Sequence, residues 1–203
     1  MNSVFENSTD KKFAVTLFAS GAGTNAENCI RYFQHHPSIY INLVVSNNPH
    51  AGALEKAKKY KVPTRVITKN EWTDVEHIID FLRQQSTDLI VLAGYLALLP
   101  APLVKAFSGK IINIHPALLP KFGGKGMYGT RVHQAVLDEK ETITGITIHE
   151  VNEEYDKGKI LFQKEIEINS DDTVQSIENK IRTLEFYYLP RIIESVLSAQ
   201  PPA

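Results

Sequence analysis

Residues 13–33 have the sequence FAVTLFASGAGTNAENCIRYF, and this stretch decides the fold class. Residues 13–19 are apolar apart from one threonine, a pattern typical of a strand that is buried on both faces. Gly21 and Gly23 interrupt this run, and residues 23–34 then have the pattern of a helix. A buried strand joined by a tight turn to a helix is the first half of a β-α-β unit, so the stretch predicts a parallel sheet.

The same alternation continues along most of the chain. Further strands are predicted at residues 41–47, 64–67, 88–94 and 110–115, and further helices at 51–60 and 70–85. After residue 142 the pattern changes, because residues 142–151 and 159–168 alternate like an antiparallel pair and residues 172–197 form a closing helix. The predicted fold class is therefore α/β: a Rossmann-like, mostly parallel sheet flanked by helices, with an antiparallel C-terminal strand pair and a long closing helix.

Size and composition restrict the possible function classes. A chain of 203 residues with 43% hydrophobic content is expected to form one domain, at residues 13–198, between a flexible N-terminus at 1–12 and a tail at 199–203. With 22 basic and 23 acidic residues, no overall field favours nucleic acid or a membrane as a partner. Neither a signal peptide nor a run of eighteen apolar residues is present, so we expect a cytoplasmic location. The sequence leaves monomer and homodimer open.

Metal and nicotinamide cofactors are both disfavoured. Cys29 is the only cysteine, which excludes a cysteine-based zinc site. Residues 21–26 match the dinucleotide fingerprint G-x-G-x-x-A, but that site also needs an acidic residue near the end of the second strand. The sequence there is SNNP, and residues 41–54 contain neither Asp nor Glu. We therefore expect no NAD.

The glycine turn still has the properties of an anion site. Glycines allow the backbone to come close to a ligand, and the free amides at a helix start attract negative charge. Thr24 and Asn25 add a hydroxyl and a side-chain amide, both suitable donors to a monophosphate. The alternative is an ordinary tight turn in which Thr24 caps the helix.

The stretch IINIHPALLP, residues 111–120, places Asn113 and His115 two positions apart at the end of a predicted strand. Side chains two apart in a strand project to the same side, and the carboxyl end of a parallel strand is where open α/β sheets bind ligands. An amide and an imidazole there could stabilise a carbonyl oxygen that becomes negative during attack. The alternative is a polar strand end whose histidine is only hydrogen-bonded.

Five strings in the chain together resemble one enzyme family. They are SGAGTN (20–25), LAGYLALL (92–99), NIHPALLPKF (113–122), TGITIHEV (144–151) and YDKGKILFQ (155–163). In this order and spacing, over residues 13–190, they are similar to the folate-dependent phosphoribosylglycinamide formyltransferases. The resemblance implies transfer of a formyl group from 10-formyltetrahydrofolate to the amine of glycinamide ribonucleotide in purine biosynthesis.

The resemblance also implies roles for particular residues. Asn113, His115 and Asp156 match the catalytic residues, and Gly23, Thr24, Asn25 and Glu185 match positions that bind the ribonucleotide. The folate-binding positions are Leu96, Ala97, Leu98, Leu99, Asn113 and, more weakly, Lys69, since a lysine there replaces the planar arginine that the family often has. The peptide bond before Pro120 is expected to be cis.

The chemistry of formyl transfer suggests how three of these residues act. His115 is expected to donate a proton, Asn113 to bind the oxyanion, and Asp156 to keep His115 protonated, because a nearby carboxylate raises the pKa of an imidazole. His149 and His133 either support these residues or only pack in the core.

Two segments depart from the family pattern. Residues 123–129, GGKGMYG, are longer than the family's equivalent and form either a lid over the substrates or a surface loop. Lys157 replaces a glycine, and Gly158 is expected to supply the positive φ of that loop.

Two alternative functions follow from the same motifs. One is another folate-dependent enzyme that handles formyl groups, such as methionyl-tRNA formyltransferase or formyltetrahydrofolate deformylase. We expect neither, because the first carries an additional basic domain and the second an additional regulatory domain, and no such domain is predicted within these 203 residues. The other is a nucleotide-binding module without catalysis, which would have no need for Asn113, His115 and Asp156 together.

Overall fold

A computed structural model describes residues 12–199. Its strands are β1 (Phe13–Phe18), β2 (Ile39–Ser46), β3 (Thr64–Val66), β4 (Thr87–Leu92), β5 (Ile111–His115), β6 (Ile143–Glu150) and β7 (Ile160–Glu167). Its α-helices are α1 (Thr24–Phe33), α2 (Gly52–Lys59), α3 (Val75–Gln84), α4 (Ala101–Ala106), α5 (Thr130–Asp138) and α6 (Val174–Ser198). The predicted flexible ends, residues 1–12 and 199–203, lie outside the described residues except for Lys12 and Ala199.

The strands form one seven-stranded sheet in the order β3-β2-β1-β4-β5-β6-β7. The first five are parallel, whereas β6 runs antiparallel to β5 and β7 antiparallel to β6. This arrangement confirms the predicted mostly parallel α/β sheet with its antiparallel C-terminal pair. The chain reverses its direction of winding between β1 and β4, and such a switch point opens a crevice at the carboxyl ends of the strands.

Two helical features differ from the sequence prediction. The helix predicted at residues 70–85 is divided into a 3₁₀ turn (Glu71–Thr73) and α3, because Asp74 caps α3 by accepting a hydrogen bond from the His77 amide. Helices α4 and α5 were not predicted. α4 is only six residues long and has a proline in its first turn, a position that tolerates the missing N–H.

The core lies on both faces of the sheet. Val15 and Leu17 of β1 pack with α1, α2 and α6, whereas Phe18 faces the opposite side toward α3 and α4. Helix α6 buries five aliphatic side chains along its length, and it crosses α1, where Asn28 donates to the Phe186 carbonyl. This crossing places one side of α6 over the carboxyl ends of β1 and β5. Within residues 12–199, no helix is long and apolar enough to cross a membrane.

Candidate active site

A cavity of about 600 Å³ opens at the carboxyl ends of β1, β4 and β5, where the switch point predicts a ligand site. Its walls come from six segments that are far apart in the sequence. The lining consists of residues 21–25 after β1, 93–96 after β4, 113–116 at the end of β5, 124–129 and His133 before and in α5, Tyr155 and Asp156 between β6 and β7, and Glu178, Ile181, Arg182 and Glu185 on α6.

Asn113, His115 and Asp156 meet at this cavity, and we call them the β5 cluster. Asn113 Nδ2 lies 3.3 Å from Asp156 Oδ1, and His115 Nδ1 lies 3.6 Å from Asp156 Oδ2. Asn113 and His115 are two residues apart in β5, so both side chains project to the same side of the sheet. Asp156 reaches them from the β6–β7 loop, 43 residues beyond Asn113 in the chain.

Asp156 connects the strand end to the glycine loop, residues 123–129. Its Oδ2 accepts a hydrogen bond of 2.8 Å from the Gly124 amide. Burial raises the pKa of Asp156, but the His149 ring 3.5 Å away, the positive charge of His115 when it is protonated, and the Gly124 amide together hold that pKa below its usual value. Asp156 is therefore a carboxylate at neutral pH, held by groups from three segments of the chain.

The ionisation of His115 differs from the sequence prediction. Burial lowers the pKa of His115 and outweighs the nearby Asp156 carboxylate, which raises it. The expectation that Asp156 keeps His115 protonated is therefore wrong for the free protein, since His115 is only 3% exposed. His115 Nε2 lies 2.8 Å from the Phe122 carbonyl, which only accepts, so the neutral ring carries its proton on Nε2.

His149 holds the Asn113 side chain in place. Its Nδ1 donates to the Glu150 carbonyl at 2.7 Å, so in the neutral ring Nε2 accepts from Asn113 Nδ2 at 3.0 Å. The two residues lie directly opposite each other in the antiparallel β5–β6 pair. The sequence left His149 open between a supporting role and simple packing, and the structure shows that it contacts Asn113.

The backbone of the Asp156 loop differs from the expectation. The positive φ, 54°, is at Asp156 itself and not at Gly158. An aspartate tolerates this left-handed conformation better than most residues. Gly158 is needed for another reason, because a Cβ there would lie 1.7 Å from the Glu150 carbonyl oxygen.

The turn at residues 21–25 forms the opposite end of the cavity. Gly23 is the N-cap of α1 with φ 70° and no side-chain cap, and Thr24 is the first helical residue, so Thr24 does not cap the helix. A Cβ at Gly23 would approach Ala53 to 2.4 Å, which explains the glycine by close packing as well as by its φ. The free amides of the first turn of α1 remain available to an anion.

Glu185 of α6 stands beside this turn. Asn25 Nδ2 donates to Glu185 Oε2 at 2.9 Å, which brings together two residues 160 positions apart. Burial raises the pKa of Glu185 to about 6, although the Asn25 hydrogen bond and Arg182 lower it. Asn25 Oδ1 is buried without a hydrogen-bond partner.

The predicted folate segment is only partly in the cavity. Leu96 lines it, and the Leu96 amide donates to the Ser20 hydroxyl at 2.9 Å. Ala97, Leu98, Leu99 and Lys69 do not line it; Leu98 is 47% exposed, Leu99 is buried, and Lys69 is exposed in the turn before α3. The peptide bond between Leu119 and Pro120 is cis, as the resemblance predicted.

Several cavity residues were not found from the sequence. Glu178 and Arg182 of α6 pair with each other, and together with Ile181 and Glu185 they form one wall. Their spacing of three or four residues places them on one face of a helix, and this pattern is visible in the sequence. The sequence does not indicate, however, what that face contacts. In residues 12–199, no cluster of three or more His, Cys, Asp or Glu is arranged to hold a metal ion.

The known proteins that are similar in sequence to this chain have names that agree with one another. Phosphoribosylglycinamide formyltransferase of Bacillus subtilis is 38% identical over 192 residues, which is 92% of this chain and 95% of that protein. The chloroplastic enzyme of that name from Arabidopsis thaliana is 40% identical over 180 residues, 84% of this chain, but the chain covers only 60% of its length. The chain spans 20% of the bovine trifunctional purine biosynthetic protein adenosine-3, at 35% identity over 97% of the chain.

Solved structures agree with these relatives. The crystal structure of phosphoribosylglycinamide formyltransferase from Anaplasma phagocytophilum has a TM-score of 0.83 and 32% identity, covering 95% of this chain and 90% of that chain. The enzyme of that name from Brucella melitensis has a TM-score of 0.83 and 31% identity, covering 95% and 99%. The family model described as formyl transferase matches residues 11–193. This chain therefore belongs to the formyl transferase family.

Proposed function

We propose that this protein transfers a formyl group from 10-formyltetrahydrofolate to the amine of glycinamide ribonucleotide, in purine biosynthesis. The observation that carries the proposal is that one cavity contains both the β5 cluster and the amides at the start of α1. Formyl transfer to a phosphorylated amine needs both features, an acid–base group beside an amide donor and a separate site for a phosphate.

Substrate orientation follows from the two ends of the cavity. Gly23, Thr24 and Asn25 take the phosphate through the α1 amides and the Thr24 hydroxyl, and Glu185 accepts hydrogen bonds from the rest of the nucleotide. The substrate amine then points toward Asn113 and His115 at the other end. Holding the amine close to the formyl carbon removes much of the entropic cost of a reaction between two molecules.

The proton transfers use His115 and Asp156. The amine nitrogen attacks the formyl carbon, the carbonyl electrons move to oxygen, and neutral His115 accepts the proton that the amine loses. Asp156 stabilises the imidazolium as it forms, because the carboxylate oxygen lies 3.6 Å from His115 Nδ1. The oxyanion then re-forms the carbonyl, the bond from carbon to the folate nitrogen breaks, and His115 returns its proton to that nitrogen, which gives tetrahydrofolate and the formylated amide.

Asn113 stabilises the negative oxygen in this scheme. Its contact with Asp156 is long, at 3.3 Å, so this N–H is weakly engaged and can donate to an oxyanion bound beside it, while the His149 contact at 3.0 Å fixes the orientation of the amide. A positioned donor of this type is worth about 3–4 kcal/mol in the transition state.

The folate site is proposed along the loop after β4. Leu96, Ala97, Leu98 and Leu99 offer backbone amides and carbonyls beside the cavity, and Asn113 contacts the transferred group. Lys69, outside the cavity, is proposed to attract the carboxylates of a folate tail that extends into solvent.

The remaining features are proposed on the same basis. Residues 13–198 act as one formyltransferase domain, as a monomer or homodimer in the cytoplasm, with small-molecule substrates and neither nucleic acid nor a membrane as a partner. No metal and no NAD take part in the reaction.

The proposal is tested by mixing the protein with 10-formyltetrahydrofolate and glycinamide ribonucleotide and following the absorbance of the folate. We expect tetrahydrofolate and formylated ribonucleotide in equal amounts. Binding of the ribonucleotide by calorimetry is measured in parallel. Binding of the ribonucleotide without turnover would indicate a nucleotide-binding module without catalysis. Turnover only with a different acceptor of the formyl group, such as water, would indicate another formyl-handling enzyme.

A further inference from the structure

His133 is a buried histidine on the cavity wall whose ring is not satisfied by the protein. It lies in α5, is 2% exposed and lines the cavity. Its Nδ1 is buried and has no hydrogen-bond partner. Buried polar atoms almost always have a partner, and this exception lies at a cavity wall, where a bound ligand can supply the missing one.

The neighbouring buried residues of α5 show which type of side chain this helix uses for packing alone. Val132 and Val136 are fully buried and, with His133, form the inward face of the helix. An aliphatic residue would fill this position without burying a polar nitrogen, so packing alone does not explain a histidine.

The groups that face His133 come from two other elements. Burial lowers the pKa of His133, Glu178 of α6 raises it, and His115 of β5 lowers it. Glu178 is itself paired with Arg182. The ring is therefore neutral at pH 7, and it offers one N–H donor and one acceptor nitrogen.

We propose that His133 is a contact residue for the ribonucleotide substrate, and that its ring nitrogens pair with a hydroxyl or an amide of that ligand. This inference rests on the proposed function. A neutral imidazole matches a hydroxyl or an amide, because each of these groups both donates and accepts, whereas a phosphate only accepts. Glu185 of α6 contacts Asn25 at the start of α1, while His133 is close enough to His115 for that residue to lower its pKa, so the sugar and amide of a ribonucleotide held between the two sites would pass His133.

Asn25 Oδ1 supports this assignment independently. It is another buried side-chain atom without a partner, and it lines the same cavity beside Glu185. Asn25 Oδ1 on the α1 side and His133 Nδ1 on the α5 side are unpartnered atoms of one cavity, and an amide oxygen with an imidazole nitrogen fits a ligand with several hydroxyl and amide groups.

The test replaces His133 with leucine and with asparagine. His133→Leu removes a buried unpaired nitrogen, so its midpoint of thermal unfolding is expected to equal or exceed that of the parent. Its Kd for glycinamide ribonucleotide, measured by calorimetry, and its KM for that substrate should rise roughly 3- to 10-fold. The KM for 10-formyltetrahydrofolate should not change, and His133→Asn, which keeps a polar group near the Nδ1 position, should recover part of the affinity.

His36→Leu is the matched control. The His36 ring accepts from the Ile39 amide at 3.0 Å, contacts Glu194 at 3.0 Å and lies outside the cavity. This variant is expected to lose stability and to keep the parent Kd. The opposite changes in the two variants separate a ligand contact from a structural histidine.

Three results would overturn the inference. They are an unchanged ribonucleotide Kd in His133→Leu, a lower unfolding midpoint with equal rises in both KM values, or no ribonucleotide binding by the parent. If the parent binds the ribonucleotide without turnover, the proposed reaction fails, but the Kd comparison still decides the role of His133.

Discussion

The two ends of the cavity differ in how completely the protein satisfies its own polar groups. In the β5 cluster, the Asp156 carboxylate accepts from Gly124 and Asn113, and His115 donates to the Phe122 carbonyl. On the α1 and α5 walls, Asn25 Oδ1 and His133 Nδ1 are buried without partners. The first end is organised before any ligand arrives, and the second leaves hydrogen-bonding capacity unused.

This difference corresponds to a difference in task. Groups that move protons or stabilise developing charge must be oriented in advance, because reorientation during the reaction would add to the barrier. Groups that only recognise a ligand can remain unpaired, at a cost in stability that binding offsets. Substitutions in the β5 cluster should therefore mainly lower kcat, whereas substitutions on the α1 and α6 walls should mainly raise the KM for the ribonucleotide.

Asp156→Asn should have the largest effect. It removes the charge that stabilises the imidazolium of His115, and we expect kcat to fall roughly 10²- to 10⁴-fold with little change in either KM. The pKa of His115, measured by NMR titration, should fall further, since burial would no longer be opposed by the carboxylate.

Glu154→Gln is the control for this prediction. Glu154 is an exposed acid two residues away in the same loop, paired with Lys157, and its loss should leave kcat and the His115 titration unchanged. If Asp156→Asn keeps nearly full kcat and an unaltered titration, Asp156 is not the partner of His115.

Glu185→Gln, near the start of α1, should weaken binding of the ribonucleotide and at the same time change how stability depends on pH. Losing a charged acceptor is expected to raise the KM for glycinamide ribonucleotide roughly 10-fold or more, with the folate KM unchanged. The pKa of Glu185 in the folded protein is about 6, above its ordinary value of 4.5. Between pH 4.5 and pH 6 the folded parent therefore binds more protons than the unfolded chain. The parent consequently loses stability as the pH rises through this range.

The variant has no such group, so its free energy of unfolding relative to the parent should increase by about 2 kcal/mol between pH 4 and pH 7.5. Chemical denaturation of both proteins at the two pH values measures this increase. A relative stability that does not change with pH would mean that Glu185 titrates normally and that burial is not what governs it.

Thr24→Val should have a smaller effect on the same substrate. The change is nearly isosteric and removes one hydroxyl donor, while the backbone amides at the start of α1 remain, so the ribonucleotide KM should rise roughly 3- to 10-fold. Steady-state kinetics with each substrate varied in turn measures it. An equal rise in the folate KM would show that the turn supports the fold more than the phosphate. Gly23 cannot serve in this test, because any side chain there would collide with Ala53.

Lys69→Ala should have the smallest effect. An exposed lysine attracts a solvent-exposed carboxylate by about 0.2–1 kcal/mol, so the KM for 10-formyltetrahydrofolate should rise at most roughly 5-fold. The increase should disappear at high salt, because screening already removes the attraction in the parent. A variant with the parent KM at low salt would remove Lys69 from the folate site.

Much of the architecture could be predicted because the signals are local. Apolar runs of strand length, helical periodicity and the glycine turn each depend on residues within one element, so the five parallel strands, the antiparallel pair and the closing helix were predicted correctly. The N-x-H pattern could be recognised for the same reason, since Asn113 and His115 lie on one strand. The short helix α4 has too few residues for a periodic signal.

Other features depend on atoms that are distant in the sequence. The low pKa of His115 results from burial by several segments, and this burial exceeds the effect of the one carboxylate that the sequence indicated. Asn113 and His149 face each other only because β5 and β6 pair in one register, and His133 has an unpaired nitrogen only because α5 turns it to the cavity wall. The sequence by itself thus determined the elements and the reactive residue types, since local periodicity and side-chain chemistry act over short separations. Tertiary structure alone decided how far the ionisable side chains are desolvated, which residues meet across strands and which buried atoms lack partners. Each of these depends on neighbours from distant parts of the sequence, which only folding brings together.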